Sequence, residues 1–328
     1  MDPSLDYPQI YKSLSNDVKK KLSERNKSDD QAHDFACVAK SLAGQESHSL
    51  AAVFLLGKAR CEFSAKNVTA EASTLFTAAK YFIQADDKYT SMNAVNYEDN
   101  LDCAILCLLR AARIYELNEL FTLATNVYIY LVDLLMRLCK YNQAIPYLKR
   151  AMEIVSKDIL LSLELYKRLS HCQLCIHDWP GALSTFIRIQ CLLKEEFTVH
   201  SFDLYVQYWS YAEIFRVLLI LLCMPPYKLC SHDTSGYSLK QYTLDIDCQE
   251  TEDEVVTTEQ LLQPPPPMKS AYIDEELFIL LQSFVLAHRI KDIVELEKLS
   301  VMLQSFLNLE QRELVSLIIR QLVVVDIS

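Results

Sequence analysis

Lys140-Tyr141-Asn142-Gln143-Ala144, with Leu148, Ala151 and Ile154 behind it, returns as Asp178-Trp179-Pro180-Gly181-Ala182, with Phe186, Ile189 and Leu192 behind it. The two strings stand a constant 38 residues apart. Each places an aromatic residue in a turn, an alanine three positions on, and large apolar residues at helical spacing after that. This is the layout of the second helix of a helix-turn-helix repeat. A helix with one apolar face cannot bury that face alone, so a stack of such hairpins is expected.

Ala144, Leu148, Ala151 and Val155 fall at i, i+4, i+7 and i+11, one stripe of a 3.6-residue helix. Alanine at 144 and 182 lets a neighbouring helix come to the short end of the usual interaxial range, as in tetratricopeptide hairpins. The first helix of each pair is read at Phe121 to Leu138 and at Ile159 to Ile176, the latter with Asp158 as N-cap. Pro180 sits in a first helical turn, where proline is tolerated. The fold class is therefore all-α, a tetratricopeptide-like antiparallel helix-hairpin solenoid of about 13–14 helices.

Composition removes several functions. The chain has four glycines in 328 residues, and their positions, 44, 57, 181 and 236, allow neither a GxGxxG nor a GxxxxGK[ST] loop. A net charge of −11 argues against nucleic acid. The one basic cluster, Lys19, Lys20 and Lys21 with Arg25 and Lys27, reads first as a solvated helix end and second as a contact for an acidic partner or membrane surface. Eleven cysteines, mostly in apolar helical stretches, suit a reducing compartment. The start, Met1 to Asp6, has no signal-peptide pattern, and the longest uncharged apolar run, Val217 to Met224, is too short for a membrane span. A cytoplasmic protein with no transmembrane segment is expected.

Along the chain, helices are read at Pro8 to Leu22, Phe35 to Leu42, Leu50 to Phe63, Val68 to Ile83 and Tyr97 to Leu117, with a polar turn region from Asp86 to Asn96. After the two clear repeats comes a helix from about Phe202 to Met224 that is apolar almost all round, with Glu213 and Arg216 able to pair at i,i+3. Pro225-Pro226 ends it. Three domains follow from this pattern: a solenoid over 1–225, an acidic, proline-containing and partly disordered linker over 226–272 with a short helix near Tyr237 to Ile246, and C-terminal helices over 273–328 packing on the solenoid. The closing helices are read at Glu275 to His288, Ile293 to Phe306 and Leu309 to Val324, with Asn308 and Gln311 as a capping box.

His171-Cys172-Gln173-Leu174-Cys175-Ile176-His177 invites a zinc reading, but a second ligand pair on a separate turn is missing, and core packing is the simpler account. Asp86-Asp87 and Asp274-Glu275-Glu276 are paired carboxylates without a cleft. No serine sits in a GxSxG elbow, and no cysteine-histidine pair is singled out for nucleophilic work. No enzyme, cofactor or metal is read. What remains is surface recognition: Tyr205, Trp209 and Arg216 on the apolar helix, with core packing as their alternative, and Asp274, Glu275 and Glu276, with a helix-end role as theirs.

With these residues in view, the chain resembles the family of the forty-kilodalton huntingtin-associated protein. The likeness is carried by Ser15-Asn16 with Lys19-Lys20, Phe35 with Leu42 and Gln45-Glu46, Ala51-Ala52 with Ala59-Arg60-Cys61, and the Asp178 to Leu183 turn with Phe186 and Arg188. It continues in Arg216-Val217-Leu218-Leu219, Pro225-Pro226 with Lys228-Leu229, Glu275 to Phe278 and Leu280 to Ser283. The resemblance implies a non-enzymatic adaptor, bound tightly to huntingtin between its helical-repeat arrays and linked to early endosomes through a Rab-type small GTPase. It implies a cytoplasmic location, peripheral on early endosomes, with room for a nuclear pool. The vertebrate members carry a long proline-rich insert before the helix of Arg216, whereas here Phe197 to Tyr208 connects directly and the prolines lie at 264–267. Two other classes share the architecture: attachment-protein-like adaptors of vesicle fusion, and chaperone-binding repeat modules, for which no carboxylate-gripping set of Lys, Arg and Asn is found.

Overall fold

The structure is a computed structural model, and it describes residues 6–20, 26–155, 158–195, 202–223, 239, 242 and 273–327. Among these residues all regular structure of any length is helical. The helices are α1 (Tyr7–Lys20), α2 (Asn26–Gly44), α3 (His48–Ser64), α4 (Val68–Ser91), α5 (Asp99–Leu117), α6 (Phe121–Arg137), α7 (Tyr141–Ile154), α8 (Ile159–Cys175), α9 (Trp179–Glu195), α10 (Phe202–Cys223), α11 (Glu275–Ile290), α12 (Ile293–Leu303) and α13 (Leu309–Ile327). The all-α hairpin architecture stands as read. The side chains of the Lys19 to Lys27 cluster, Pro225-Pro226 and the 226–272 linker, Leu239 and Tyr242 apart, lie outside the described residues. By compactness the chain divides into two units, Met1–Leu165 and Tyr166–Ser328, a boundary that falls inside α8.

In the first unit the helices from α2 to α7 pack in succession, each on its neighbour within that series. Small residues make this possible: Ala51, Ala52, Ala72, Ala78, Ala79, Ala104, Ala111, Ala112, Ala124, Ala144 and Ala151 are all fully buried. Where α2 meets α3 the approach needs a glycine, since a Cβ on Gly57 would lie 2.4 Å from the Phe35 ring. That ring belongs to an aromatic cluster in which Tyr11 meets Phe35 and Phe54 edge-on at 5.8 and 5.5 Å.

Ion pairs tie one hairpin to the next at nearly a repeat's separation. Arg110 of α5 reaches Glu71 of α4 at 2.7 Å, and Arg150 of α7 reaches Glu116 of α5 at 2.7 Å. Lys88 bonds Glu46 at 2.8 Å, and Lys140 bonds Glu98. The Tyr128 hydroxyl adds a 2.7 Å bond to Glu116. Burial opposes charge on Glu116, but the hydrogen bonds from Arg150 and Tyr128 hold its carboxyl below the usual range.

The hairpin turns share one closure. The amide of Ser47 donates to the carbonyl of Leu42, Asn67 to Glu62, Ala94 to Tyr89, Leu120 to Tyr115, Lys140 to Leu135, Asp178 to Gln173 and Asp292 to Ala287, at 2.8 to 3.1 Å. These are the six-to-one bonds of a Schellman ending. The residue just before each donor is left-handed, and none is glycine: Glu46, Lys66, Asn93, Glu119, Cys139, His177 and Lys291 have φ between 50° and 60°. The glycine scarcity of the sequence is thus met by strained residues at every such turn.

One boundary differs from expectation. α4 runs to Ser91, whereas a polar turn was expected from Asp86. Asp86 is buried, its carboxylate accepts a 2.7 Å bond from the Asn96 amide, and its polarity is absorbed inside the fold rather than in solvent.

In the second unit α10 packs on α9 and on α13, while α12 packs on α11 and α13. α10 is long and apolar enough to cross a membrane by length and composition alone, but it is largely buried in the protein. The expected caps are in place. The Leu161 amide donates to Asp158 at 3.1 Å. Asn308 and Gln311 exchange amide-to-side-chain bonds at 3.0 and 2.9 Å, a complete capping box.

Candidate partner interface

The six residues singled out in the sequence separate into two groups. Tyr205 and Trp209 are buried, and Arg216, at 2% exposure, is among the largest fully buried side chains. These three take the core alternative. Glu213 accepts from Arg216 Nε at 2.7 Å and Nη2 at 2.5 Å, from Gln190 Nε2 of α9 at 2.5 Å, and from the Tyr242 hydroxyl at 3.0 Å. The Tyr242 ring lies 5.1 Å from that of Phe278 on α11. One buried carboxylate therefore joins α9, α10, Tyr242 and, through its ring, α11. Burial disfavours charge on Glu213, but the guanidinium beside it outweighs this and holds the carboxyl below its ordinary range.

Asp274, Glu275 and Glu276 are exposed at the start of α11. Asp274 occupies the N-cap position without a side-chain cap bond, and the two glutamates lie in the first turn, where the helix dipole favours them. Their carboxylates are left facing outward.

A surface that sequence reasoning missed lies on the next helix. Leu296, Leu299 and Leu303 of α12 point inward, all buried. Val294, Val301 and Met302 lie on the opposite face, 56–65% exposed, with Ile290 and Leu309 at either end 72–75% exposed. An outward helix face is ordinarily charged; here Val294, Val301 and Met302 share it with exposed Glu297 and with Lys298, which is engaged with Glu295 at 3.0 Å. The signal was present in Ile293 to Leu303, which has apolar residues at helical spacing on two opposite stripes. α12 returns antiparallel to α11 through the Lys291-Asp292 turn, so Val301 and Met302 lie toward the end of the hairpin where Glu275 and Glu276 stand.

The remaining titratable candidates are otherwise engaged. Asp86 bonds Asn96, and Asp87 pairs with Arg137 at 3.4 Å. In the His171 to His177 string, Cys172 is buried, Cys175 is exposed beside His171, and His177 packs against Trp179 with ring centres 5.0 Å apart. The four side chains do not converge. Among the described residues no group of three or more His, Cys, Asp or Glu is arranged to hold a metal ion.

No family model matches the chain. The 40-kDa huntingtin-associated proteins of Mus musculus and Rattus norvegicus are each 26% identical to it over 370 residues, covering 96% of this chain and 92% of the relative. The alignment is longer than the 328-residue chain, so the relatives carry residues that it lacks. This chain, an all-helical hairpin architecture, is thus similar to the 40-kDa huntingtin-associated proteins over nearly its whole length.

Proposed function

We propose that this protein is a non-enzymatic adaptor subunit that binds huntingtin, the association for which its relatives are named. The observation that carries the reading is α12, a helix apolar on two opposite faces, one of which is left outward as Val294, Val301 and Met302. The acidic start of α11 extends that surface with charge suited to a basic region of the partner. The protein fills space between helical-repeat arrays of huntingtin, with a large and mostly apolar contact. A permanent contact of this kind covers more than about 2,000 Å². It acts in the cytoplasm and reaches early endosomes through a Rab-type small GTPase.

The test is recovery of tagged wild-type protein from its own cells in about 0.5 M salt, where exposed charge pairs are screened, beside a Val294→Asp/Val301→Asp variant. Wild type is expected to retain a single very large helical-repeat protein at near-equal amount, and the variant to lose it with an unchanged melting curve. Full retention by the folded variant would refute the α12 surface. Recovery of fusion-machinery proteins, or of nothing, would refute the huntingtin reading. Partner loss is further expected to lower this protein's abundance, because binding depletes the unfolded population open to proteolysis.

A further inference from the structure

On α8, His171 and Cys175 stand one helical turn apart, and the imidazole is held between two groups. Its Nε2 faces the Cys175 Sγ at 3.7 Å. Its Nδ1 meets the carboxylate of Glu310, which α13 brings from 139 residues away. With Nδ1–H donated to the carboxylate, Nε2 is left as an acceptor turned toward the thiol, the tautomer needed to draw off its proton. Cys175 is exposed to solvent. A nucleophile, a base within reach of it and an acid that orients the base are the elements of an activated thiol.

Two other exposed thiols offer a comparison within the same chain. Cys37 has His33 at 3.4 Å with the same i,i+4 spacing, but among the described residues no carboxylate bonds that imidazole. Cys139 has the Tyr141 hydroxyl at 3.8 Å. Only Cys175, of the exposed cysteines described, has a histidine backed by a carboxylate.

We propose that Cys175 is an activated thiol and a site of covalent addition to α,β-unsaturated carbonyl compounds, with His171 as its base and Glu310 as the residue that positions the imidazole and stabilises its protonated form. His171 Nε2 takes the thiol proton. The sulfur lone pair forms a bond to the β-carbon, the double-bond pair moves to the α-carbon as an enolate, and the imidazolium proton is returned there. Nothing is oxidised or reduced, and no group leaves. Disulfide chemistry with the nearest thiol is disfavoured, because Cys172 is buried and burial pushes its thiol up to about 11.

The titratable groups seen to act on the pair are Glu310 from α13 and Cys172 on α8 itself. The Glu310 hydrogen bond outweighs burial and raises the imidazole above its ordinary value, which favours the imidazolium-thiolate form.

The experiment is site-resolved labelling of the full chain with light and heavy N-ethylmaleimide, read by mass spectrometry from pH 5.5 to 9.5. At pH 7, Cys175 is expected to react about threefold or more faster than Cys139. A gain in thiolate outweighs the accompanying loss of intrinsic nucleophilicity, because that loss follows the shift only in part. Its rate is expected to level off below the ordinary thiol value near 8.5. In Glu310→Gln the Cys175 rate falls severalfold while Cys37 and Cys139 keep theirs, and continued protection of buried Cys172 reports that the fold is intact. If Cys172 becomes labelled in that variant, the wild-type pH profile decides alone. A Cys175 rate and midpoint equal to those of Cys139 would overturn the proposal, as would an unchanged rate in folded Glu310→Gln.

Discussion

Replacing Arg216 by methionine isolates the energetics of the buried node in the second unit. The guanidinium makes two bonds to Glu213, at 2.7 and 2.5 Å, and the two side chains are only 2% and 5% exposed. Removing one partner of such a pair leaves the other charge buried, which costs about 3–5 kcal/mol. Glu213 keeps Gln190 and the Tyr242 hydroxyl as donors, so the cost should fall toward the lower part of that range. Glu213→Leu removes the guanidinium's carboxylate and also leaves the Gln190 and Tyr242 donors unpaired, so it costs more than Arg216→Met. The double variant removes both charges but leaves the Gln190 and Tyr242 donors unpaired, at about 1–3 kcal/mol each. The singles are therefore not additive, and the expected coupling is about 2 kcal/mol or more.

The assay is urea unfolding followed by tryptophan fluorescence. Both tryptophans, Trp179 and Trp209, lie in the second unit and report on it directly. pH adds a signature. The folded-state value of Glu213 is depressed, so its contribution is present above the unfolded value near 4.3 and is lost as pH falls through the folded value. That acid-side loss should shrink in Arg216→Met. If Arg216→Met costs less than about 1 kcal/mol, as an exposed pair would, or if the two singles add, the reasoning about this node is wrong.

Glu119→Gly relieves a left-handed residue at φ 59°. It should raise the stability of the first unit by about 0.5–1 kcal/mol, read by circular dichroism in urea, whereas Glu119→Ala should give no gain; a loss in the glycine variant would contradict the strain argument. Gly57→Ala improves helix propensity by about 1 kcal/mol, yet its Cβ would sit 2.4–2.9 Å from three atoms of the buried Phe35 ring, so a net loss of about 1–3 kcal/mol is expected. A more stable Gly57→Ala protein would show that the α2–α3 contact yields easily. His288 is buried and burial lowers its value. Below the unfolded value near 6.5 the unfolded chain gains a proton that the native state refuses, so stability falls by up to about 1.4 kcal/mol per pH unit. His288→Leu should lose less stability than wild type between pH 7.5 and 5.5, and equal losses would count against a neutral buried imidazole.

Local rules were sufficient for much of the fold. The 38-residue echo of Tyr141 and Trp179, the alanine stripes, and the caps at Asp158 and Asn308 were legible because each depends on neighbours within a few turns of the chain. Asp86 was misread as a turn because its partner Asn96 stands 10 residues further on, in the next segment. Tyr205 and Trp209 carry the same composition whether they face a partner or a core, so only the packing of α10 against α9 and α13 could assign them. The acidic start of α11 was visible, but the outward apolar stripe of α12 was not, since either of two apolar stripes could have been the buried one.

The sequence by itself determined a helical repeat protein, because periodicity and turn chemistry are short-range properties of the chain. Tertiary structure alone decided that Arg216 is an internal counter-ion rather than a surface anchor. It alone brought Glu310 to His171, since pairs so distant in sequence meet only when the helices between them have packed.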